Sequence, residues 1–525
     1  MTWLALPTVW WGPLNVDEEL TLRISDFSFR HIFHIVSTKR GGGPLHFWLE
    51  HYLLGWWPSL GALRIPSLVF LILALPAVAL VVRRLLRDDE AAGAVVILTA
   101  VSPIPVLYAT FGRPHTLLFA WLMWSTALSL TAAVRGDRRL WAAAGAVLGL
   151  SVFVHPTAPL YALTAFFASA VFAPRHWRQV LREVWPGVVT LFITFVPYYV
   201  RTLHVLGDRY GVGTARAGGR TFSGRPVWED ALHFVAPGQH DVNYFTVLAV
   251  TGVVVLIVKK LYRTLAFCAI TVAAPVIFFS VVPANGDSAL FFDRYMIPVT
   301  PAFLTVVIAA CTWIAGLAGR WRFVVLVLLV AGLFGVEMRY DLNHRRQTER
   351  IHIDAVIDAV KRLPKGTVLF GSTGTSGAIF SSFDYGHPAN VLDHLIALRA
   401  GNVQLVDDDS CMRAEAFAHS SGTRRGAWVF YAASPEEAAA AQKALGTKPI
   451  EGHYFVVTSV GTPRLLIAEG LVLRRQWKTA VPFNRRVQEL IVSDQQLLAG
   501  TCVPYGDLGD PDTNPHWPPV KTTHQ

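Results

Sequence analysis

Residues 60–82 read LGALRIPSLVFLILALPAVALVV, and three basic residues, Arg83, Arg84 and Arg87, follow almost at once. An apolar stretch of about 20 residues is long enough to cross a bilayer as a helix. Lys and Arg beside such a stretch are typical of the end that stays in the cytoplasm. This segment therefore predicts a membrane-spanning helix whose carboxyl end faces the cytoplasm.

The same pattern recurs along most of the chain. Nine further apolar runs follow, at 91–110, 115–134, 140–158, 159–174, 185–206, 243–258, 264–283, 296–318 and 322–336. Basic clusters occupy every second loop between the runs, so we assign those loops to the cytoplasm and the other loops to the outside. With the short apolar segment at 1–11 counted as a partial span, the sequence predicts a mainly α-helical membrane domain of 10–11 spans over 1–337.

The overall composition agrees with a multi-pass protein of the plasma membrane. Of 525 residues, 53% are hydrophobic and only 16% are charged, and the mean hydropathy is +0.41. Soluble domains usually carry about 25% charged residues. The 46 Lys and Arg outnumber the 36 Asp and Glu and give a net charge of +10. Because these cations lie mainly in short loops, they predict membrane lipids and not nucleic acid as partners.

The chain changes character after residue 337. Helical and strand-like segments alternate over 338–505, which predicts a small extracytoplasmic α/β domain. The predicted elements are helices at 351–363, 390–400 and 435–445, the last opened by a Ser434–Glu437 capping box, and strands at 367–370, 403–406, 428–431, 454–460 and 465–468. An outside location would permit a disulfide between Cys411 and Cys502. The tail at 506–525 is rich in Pro and Asp and is predicted to be disordered.

The outer loops carry polar residues that are unusual at a membrane edge. The first outer loop mixes apolar and basic residues at about 20–40, which predicts one or two amphipathic helices on the membrane surface. Carboxylates next to a bilayer are costly to desolvate, so their presence indicates chemistry at the surface. Since the topology places them all on one side, we expect one shared pocket among Asp17, Glu18, His46, Glu50, Arg113, His115, His155, Asp293, Arg294 and Tyr295.

Five short motifs stand in a fixed order between about residues 10 and 310. They are Val16-Asp17-Glu18, Gly43-Pro44-Leu45-His46-Phe47-Trp48, Arg113-Pro114-His115, His155-Pro156 and Arg294-Tyr295-Met296-Ile297-Pro298. Their order, spacing and sidedness resemble the GT-C glycosyltransferases, in the branch of protein O-mannosyltransferases and lipid A aminoarabinose transferases. The chain is a divergent member, since His115 stands where that branch has Tyr.

The resemblance implies an inverting hexosyl- or pentosyltransferase. Such an enzyme moves a sugar from a polyprenyl-phosphate donor to an acceptor hydroxyl on a protein, a lipid or a cell-wall glycan. Asp17 would be the base, and Glu18 would orient the acceptor or help Asp17 to hold a divalent cation such as Mg²⁺ or Mn²⁺. Arg113 and Arg294 would bind the donor phosphate.

The remaining site residues follow from the same resemblance. The sugar and acceptor pocket would be lined by His46, His115, His155, Asp293 and Tyr295. Aminoarabinose transferases have a Lys where this chain has Gly43, and that Lys is thought to meet the lipid phosphate. Lys39, Arg40 or Arg201 would replace that contact here.

Two other functions are alternatives. A lipid-sugar transporter or flippase predicts polar residues near the bilayer midplane and an internal repeat, and the sequence has neither. A non-catalytic membrane scaffold would leave the set of Asp17, Arg113 and Arg294 without a purpose. The sequence therefore favours the glycosyltransferase.

Overall fold

The structure is a computed structural model. It describes residues 27–40, 42–57, 60–210, 239–281, 293–347, 358–365, 367–370, 403–406, 425–431 and 454–460, together with Val9, Glu18, Thr21, Ile24, Ser25, Gln442, Lys448 and Ile450. The chain forms two compact units. The membrane unit contains Met1–Val9, Ser28–Leu49 and Leu63–Thr348, and the second unit contains Trp10–Phe27, Glu50–Ala62 and Glu349–Gln525. The domain boundaries at 337 and 505 stay predictions, and the tail at 506–525 lies outside the described residues.

Helices account for nearly all of the described part of the chain up to residue 347. They are α1 (Phe29–Ile35), α2 (Leu45–Trp56), α3 (Leu60–Leu86), α4 (Asp89–Val101), α5 (Pro103–Ala109), α6 (His115–Arg135), α7 (Arg138–Leu150), α8 (Ala158–Phe172), α9 (Trp177–Tyr210), α10 (Gln239–Val258), α11 (Tyr262–Val281), α12 (Thr300–Leu317) and α13 (Arg322–Gln347). A π-helix covers Val36–Arg40, and 3-10 helices cover Ser151–Phe153, Asp293–Val299 and Gly319–Trp321.

Each of the ten predicted apolar runs is helical over most of its described residues, which confirms a mainly α-helical membrane protein. Among the described residues, six helical segments are long and apolar enough to span a bilayer, or seven if α4 and α5 count as one broken span. This number is below the predicted 10–11. Pro103 begins α5 after a bend of 56° and divides one run, and α7 and α8 are only 13 and 15 residues long.

Glycines bring α7 and α9 into close contact. Gly145 and Gly149 lie one turn apart on α7, and a Cβ atom on Gly145 would overlap the backbone of Gly187 on α9. Thr190 donates a hydrogen bond of 2.7 Å from Oγ1 to the carbonyl of Ala142 across the same contact. Small residues of this kind let helix backbones approach closely inside a membrane. The contact fixes α7, whose carboxyl end leads directly into the candidate site.

The described part of the second unit contains a four-stranded sheet. Its strands are β1 (Thr367–Phe370), β2 (Val403–Val406), β3 (Arg425–Tyr431) and β4 (Tyr454–Val460), in the order β2-β1-β3-β4. β1 is parallel to β2 and β3, and β4 is antiparallel to β3. Parallel neighbours require crossover connections, which is typical of an α/β arrangement.

The predicted strands at 367–370, 403–406 and 454–460 coincide with β1, β2 and β4. β3 begins three residues earlier than predicted, because it pairs with β4 along the full length of that strand. Of the predicted helix at 351–363, the structure describes a helical segment at 358–361. The predicted helix at 390–400 and strand at 465–468 lie outside the described residues. So does the predicted helix at 435–445 apart from Gln442, which is helical.

Candidate functional site

His46 lies in the first turn of α2 and is buried, with 1% of its surface exposed. Its Nε2 atom donates a hydrogen bond of 3.2 Å to the carbonyl of Gly112. Because a carbonyl can only accept, this contact places the ring proton of the neutral imidazole on Nε2. Burial lowers the pKa of His46 to about 3, and the positive charge of Arg113 acts in the same direction. The ring is therefore neutral at ordinary pH.

Arg113 is presented by a tight turn between α5 and α6. Its backbone N–H donates to the carbonyl of Phe111 at 2.7 Å. The hydroxyl of Ser67, on α3, lies 2.5 Å from the carbonyl of Phe111 and 3.2 Å from that of Arg113. His115 follows as the first residue of α6. A spanning helix and a hydrogen-bonded turn thus hold Arg113 beside the amino end of α6.

The rings of His115 and His155 lie next to each other, with centroids 5.2 Å apart. The ring of Tyr108 packs edge-on against His115 at 5.1 Å. The Nε2 atom of His115 is buried and has no hydrogen-bond partner among the described residues. The Nδ1 atom of His155 accepts the backbone N–H of Thr157 at 3.2 Å, so its neutral form carries the proton on Nε2. The Nε2 atom of His115 is therefore placed to meet a polar ligand.

The 3-10 helix Asp293–Val299 brings Arg294 and Tyr295 to the same place. The Tyr295 ring stacks on Phe279 of α11 at 5.0 Å and lies 6.1 Å from the ring of His155. The hydroxyl of Tyr161, on α8, donates to the carbonyl of Tyr295. These contacts fix the backbone from which Arg294 projects.

Six of the predicted site residues gather in the membrane unit. Arg294, His155, Arg113 and His46 all lie within electrostatic range of His115. We call this set the histidine–arginine cluster; its members are His46, Arg113, His115, His155, Arg294 and Tyr295. Two guanidinium groups and the amino end of a helix make the cluster a positive site, and such groups match the oxygens of a phosphate.

The comparisons with known proteins agree with this arrangement. Residues 43–200 match the family described as dolichyl-phosphate-mannose-protein mannosyltransferase. The chain is similar to the crystal structure of ArnT from Cupriavidus metallidurans bound to undecaprenyl phosphate, with a TM-score of 0.53, 14% identity, and coverage of 88% of this chain and 96% of that one. The chain has the GT-C fold. The superfamily resemblance predicted from the motifs is thereby confirmed.

A second structure supports the same fold. ArnT from Cupriavidus metallidurans in the apo state gives a TM-score of 0.52 at 14% identity, with 87% of this chain and 94% of that one covered. No curated protein matches the chain by sequence. The fold and the apolar helices together make the protein a multi-pass membrane protein.

Within this GT-C fold, two acidic residues lie in the second unit. Glu18 and Glu50 are both fully buried. Burial raises the pKa of Glu50 well above its usual value, and the negative charge of Glu18 raises it further. Glu50 therefore keeps its proton at a pH where an ordinary Glu has lost it. The sequence placed Glu50 in the expected shared pocket but gave it no chemical role. Its four-residue spacing from His46 puts both on one face of a helix.

Of the other predicted site residues, Arg201 lies outside the cluster, and the rest, or their side chains, lie outside the described part of the chain. Arg201 is exposed; its Nε donates to the hydroxyl of Ser37 at 3.0 Å, and its guanidinium lies 5.1 Å from the ring centroid of Phe33. Asp17, Cys411 and Cys502 lie outside the described residues, as do the side chains of Lys39, Arg40 and Asp293.

The contacts of Gly43 explain why this GT-C chain has no Lys at that position. A Cβ atom on Gly43 would overlap the backbone of Phe153 and Val154, just before His155. The neighbouring carbonyl of Gly42 accepts a hydrogen bond of 2.6 Å from the hydroxyl of Tyr198 on α9. A Lys would therefore displace the segment that carries His155.

Metal binding is not decided by the described residues. Among them, no group of three or more His, Cys, Asp or Glu is placed to hold a metal ion. Asp17 lies outside that search, so a divalent cation held with Glu18 stays a prediction.

We expect His46 to make the protein sensitive to acid. Its pKa is about 3 when folded and 6.5 when unfolded, so the unfolded chain takes up a proton that the folded chain refuses. The contribution of His46 to the free energy of unfolding is therefore complete above pH 6.5. It is lost as the pH drops towards 3, at about 1.4 kcal/mol for each pKa unit. His46→Gln keeps a donor for the Gly112 carbonyl and should lose less stability on acidification, measured as the unfolding midpoint against pH in detergent.

The exposed His176 provides a matched control for this measurement. His176→Gln should follow the acid limb of the wild type. If the unfolding midpoint of His46→Gln fell with acidification as steeply as that of the wild type, His46 would not be the group that titrates.

Proposed function

We propose that the protein is an inverting membrane glycosyltransferase. It transfers a sugar from a polyprenyl-phosphate donor to an acceptor hydroxyl on the outer face of the plasma membrane. The observation that carries this proposal is the histidine–arginine cluster at the amino end of α6 in a GT-C fold. The similar ArnT structure contains undecaprenyl phosphate, which supports a polyprenyl-phosphate donor here.

The chemistry of the donor suits the cations of the cluster. The bond that breaks joins the sugar carbon to a phosphate oxygen, and the departing phosphate is already stable as an anion. No general acid is needed, but cations that bind the developing negative charge accelerate the step. Arg113 and Arg294 supply these cations, and the free N–H groups at the start of α6 add to the positive field.

The acceptor needs a base. In our proposal Asp17 accepts the proton of the acceptor hydroxyl while the acceptor oxygen forms its bond to the sugar carbon. Glu18 orients the acceptor, or shares a divalent cation with Asp17. Attack on the face opposite to the phosphate inverts the anomeric carbon. The acceptor is a protein, a lipid or a cell-wall glycan, and the sugar is a hexose or a pentose.

The three histidines are suited to bind the sugar. A neutral imidazole carries one donor and one acceptor, which is what a ring of hydroxyl groups requires. His46 is neutral because of its low pKa. The ring of Tyr295 lies beside His155 and provides an apolar surface for a sugar face. Asp293 precedes Arg294 and completes the proposed pocket.

The test is sugar transfer by the purified full-length protein in nanodiscs. The donors are synthetic polyprenyl-phosphate sugars, and the matched controls are the same sugars on nucleoside diphosphates. We expect labelled sugar to enter acceptors in a membrane extract and polyprenyl phosphate to be released in equal amount. Transfer from nucleotide sugars alone would contradict the proposed donor. Movement of intact lipid-linked sugar across vesicles without transfer would favour the flippase.

A further inference from the structure

A polar cavity lies at the other end of the membrane unit from the histidine–arginine cluster. It has a volume of about 990 Å³ and lies where the ends of α3, α4, α6, α8 and α11 meet the turn between α10 and α11. Val134 lines it near the carboxyl end of α6, 19 residues beyond His115. At 1.5 Å per residue this is about 29 Å along the helix. The cavity is therefore separate from the histidine–arginine cluster.

The polar lining of this cavity is strongly positive. Its cations are Arg83, Arg84, Arg87, Lys260 and Arg263, and its one carboxylate is Asp89. Arg83 uses its Nε to pair with Asp89 at 2.8 Å, so five cations against one carboxylate leave a charge of +4. Within the described part of the chain, Arg87, Lys260 and Arg263 form no ion pair. Like charges held together repel one another, and an anion in the cavity would relieve that repulsion.

The backbone provides an independent observation. Arg87 and Lys260 both have a φ of +56°, and they are the only non-glycine residues with positive φ in the described part of the chain. Each follows the end of a helix, where glycine is the usual residue in this conformation. A side chain with a Cβ atom makes that conformation less favourable, and such local strain often marks a functional position. Both strained positions carry a cation that lines the same cavity.

We propose that this cavity binds a phosphate anion, either the headgroup of an anionic phospholipid or free phosphate. Guanidinium forks match phosphate oxygens, and Lys260 adds a point charge. The apolar wall of the cavity, formed by Leu80, Val134 and Phe172, is suited to acyl chains. The predicted topology places this end at the cytoplasmic leaflet, which is rich in anionic lipids.

The test uses the full-length protein purified in detergent. Its unfolding midpoint is measured against dihexanoyl phosphatidylglycerol, dihexanoyl phosphatidylcholine and inorganic phosphate, since a ligand of the folded state raises the midpoint. We expect the anionic lipid to raise it and the zwitterionic lipid not to. A rise with inorganic phosphate as well would show that the phosphate group alone is recognised. A rise with the anionic lipid only would identify the lipid as the ligand.

Two sets of variants make the result decisive. Arg87→Gly with Lys260→Gly removes two cations and relieves both backbone positions, so its midpoint without lipid should match or exceed that of the wild type. The double variant should need about 25-fold more anionic lipid, about fivefold for each cation. Arg263→Gln tests a third cation on an ordinary backbone and should need about fivefold more.

The exposed Arg182 on α9 lies outside the cavity lining, and Arg182→Gln should respond like the wild type. The proposal is overturned by any of three results: no rise with either anion, an equal rise with phosphatidylcholine, or variants that respond like the wild type. Sugar transfer does not enter this test, so the proposed function stands or fails separately.

Discussion

Arg294→Gln should reduce kcat for sugar transfer about 10²–10³-fold, the usual effect of removing one preorganised group that binds transition-state charge. Arg294 projects from a backbone that Tyr161 and Phe279 fix through Tyr295, and it lies within electrostatic range of His115. Its guanidinium is therefore held in place before the donor binds. Arg294→Lys keeps the charge but loses the planar fork, so it should recover only part of the lost rate. The measurement is single-turnover transfer from a polyprenyl-phosphate sugar.

The sequence also offered Arg201 as a residue that binds the donor phosphate, and a variant of Arg201 distinguishes that alternative from Arg294. It is exposed and engages Ser37 and Phe33, so Arg201→Gln should lower the rate far less than Arg294→Gln. Arg182→Gln serves as the control for the loss of an exposed cation. Rates that fall equally in the Arg201 and Arg294 variants would place the donor phosphate against the segment 33–37 instead.

The helices of the membrane unit could be predicted because their signal is local. A run of about 20 apolar residues forms a helix in lipid whatever its neighbours are, since each backbone group needs a partner within the helix. Counting Lys and Arg alone placed His46, Arg113, His115 and Arg294 on one side of the membrane, and the structure brings them together. That this side is the outer one stays a prediction. The bend at Pro103 could not be placed, because the apolar run continues through it.

Features that depend on packing between distant segments had no signal in the sequence. The overlap that keeps Gly43 a glycine involves a backbone 110 residues further along the chain. The burial of Glu50 near Glu18 shifts its pKa, but periodicity shows only which helix face Glu50 occupies. The basic cavity is assembled from the ends of several helices, and its cations come from two ordinary topogenic clusters, at 83–87 and 259–263. Its left-handed residues are cationic, where a sequence pattern would place glycine.

Asp17→Asn should lower transfer about 10²–10⁴-fold, the range typical of losing a positioned general base. Asn has nearly the same size as Asp but cannot accept the acceptor proton. Binding of the donor depends on Arg113 and Arg294 in our proposal, so KM for the polyprenyl-phosphate sugar should change little. A variant that transfers sugar as fast as the wild type would remove Asp17 from the reaction and leave Glu18 as the remaining candidate base.

Glu50→Gln tests whether the buried carboxyl group of Glu50 is protonated in the folded protein. The folded pKa of Glu50 is raised, so its contribution to stability is present below the unfolded pKa and is lost as the pH rises through the folded value. Gln reproduces the protonated form, so the variant should keep its unfolding midpoint as the pH rises above 4.5, where the wild type loses stability. Asp17→Asn should leave that loss of stability with rising pH unchanged. If the stability of Glu50→Gln instead fell with rising pH as steeply as that of the wild type, Glu50 would not be the group that titrates there.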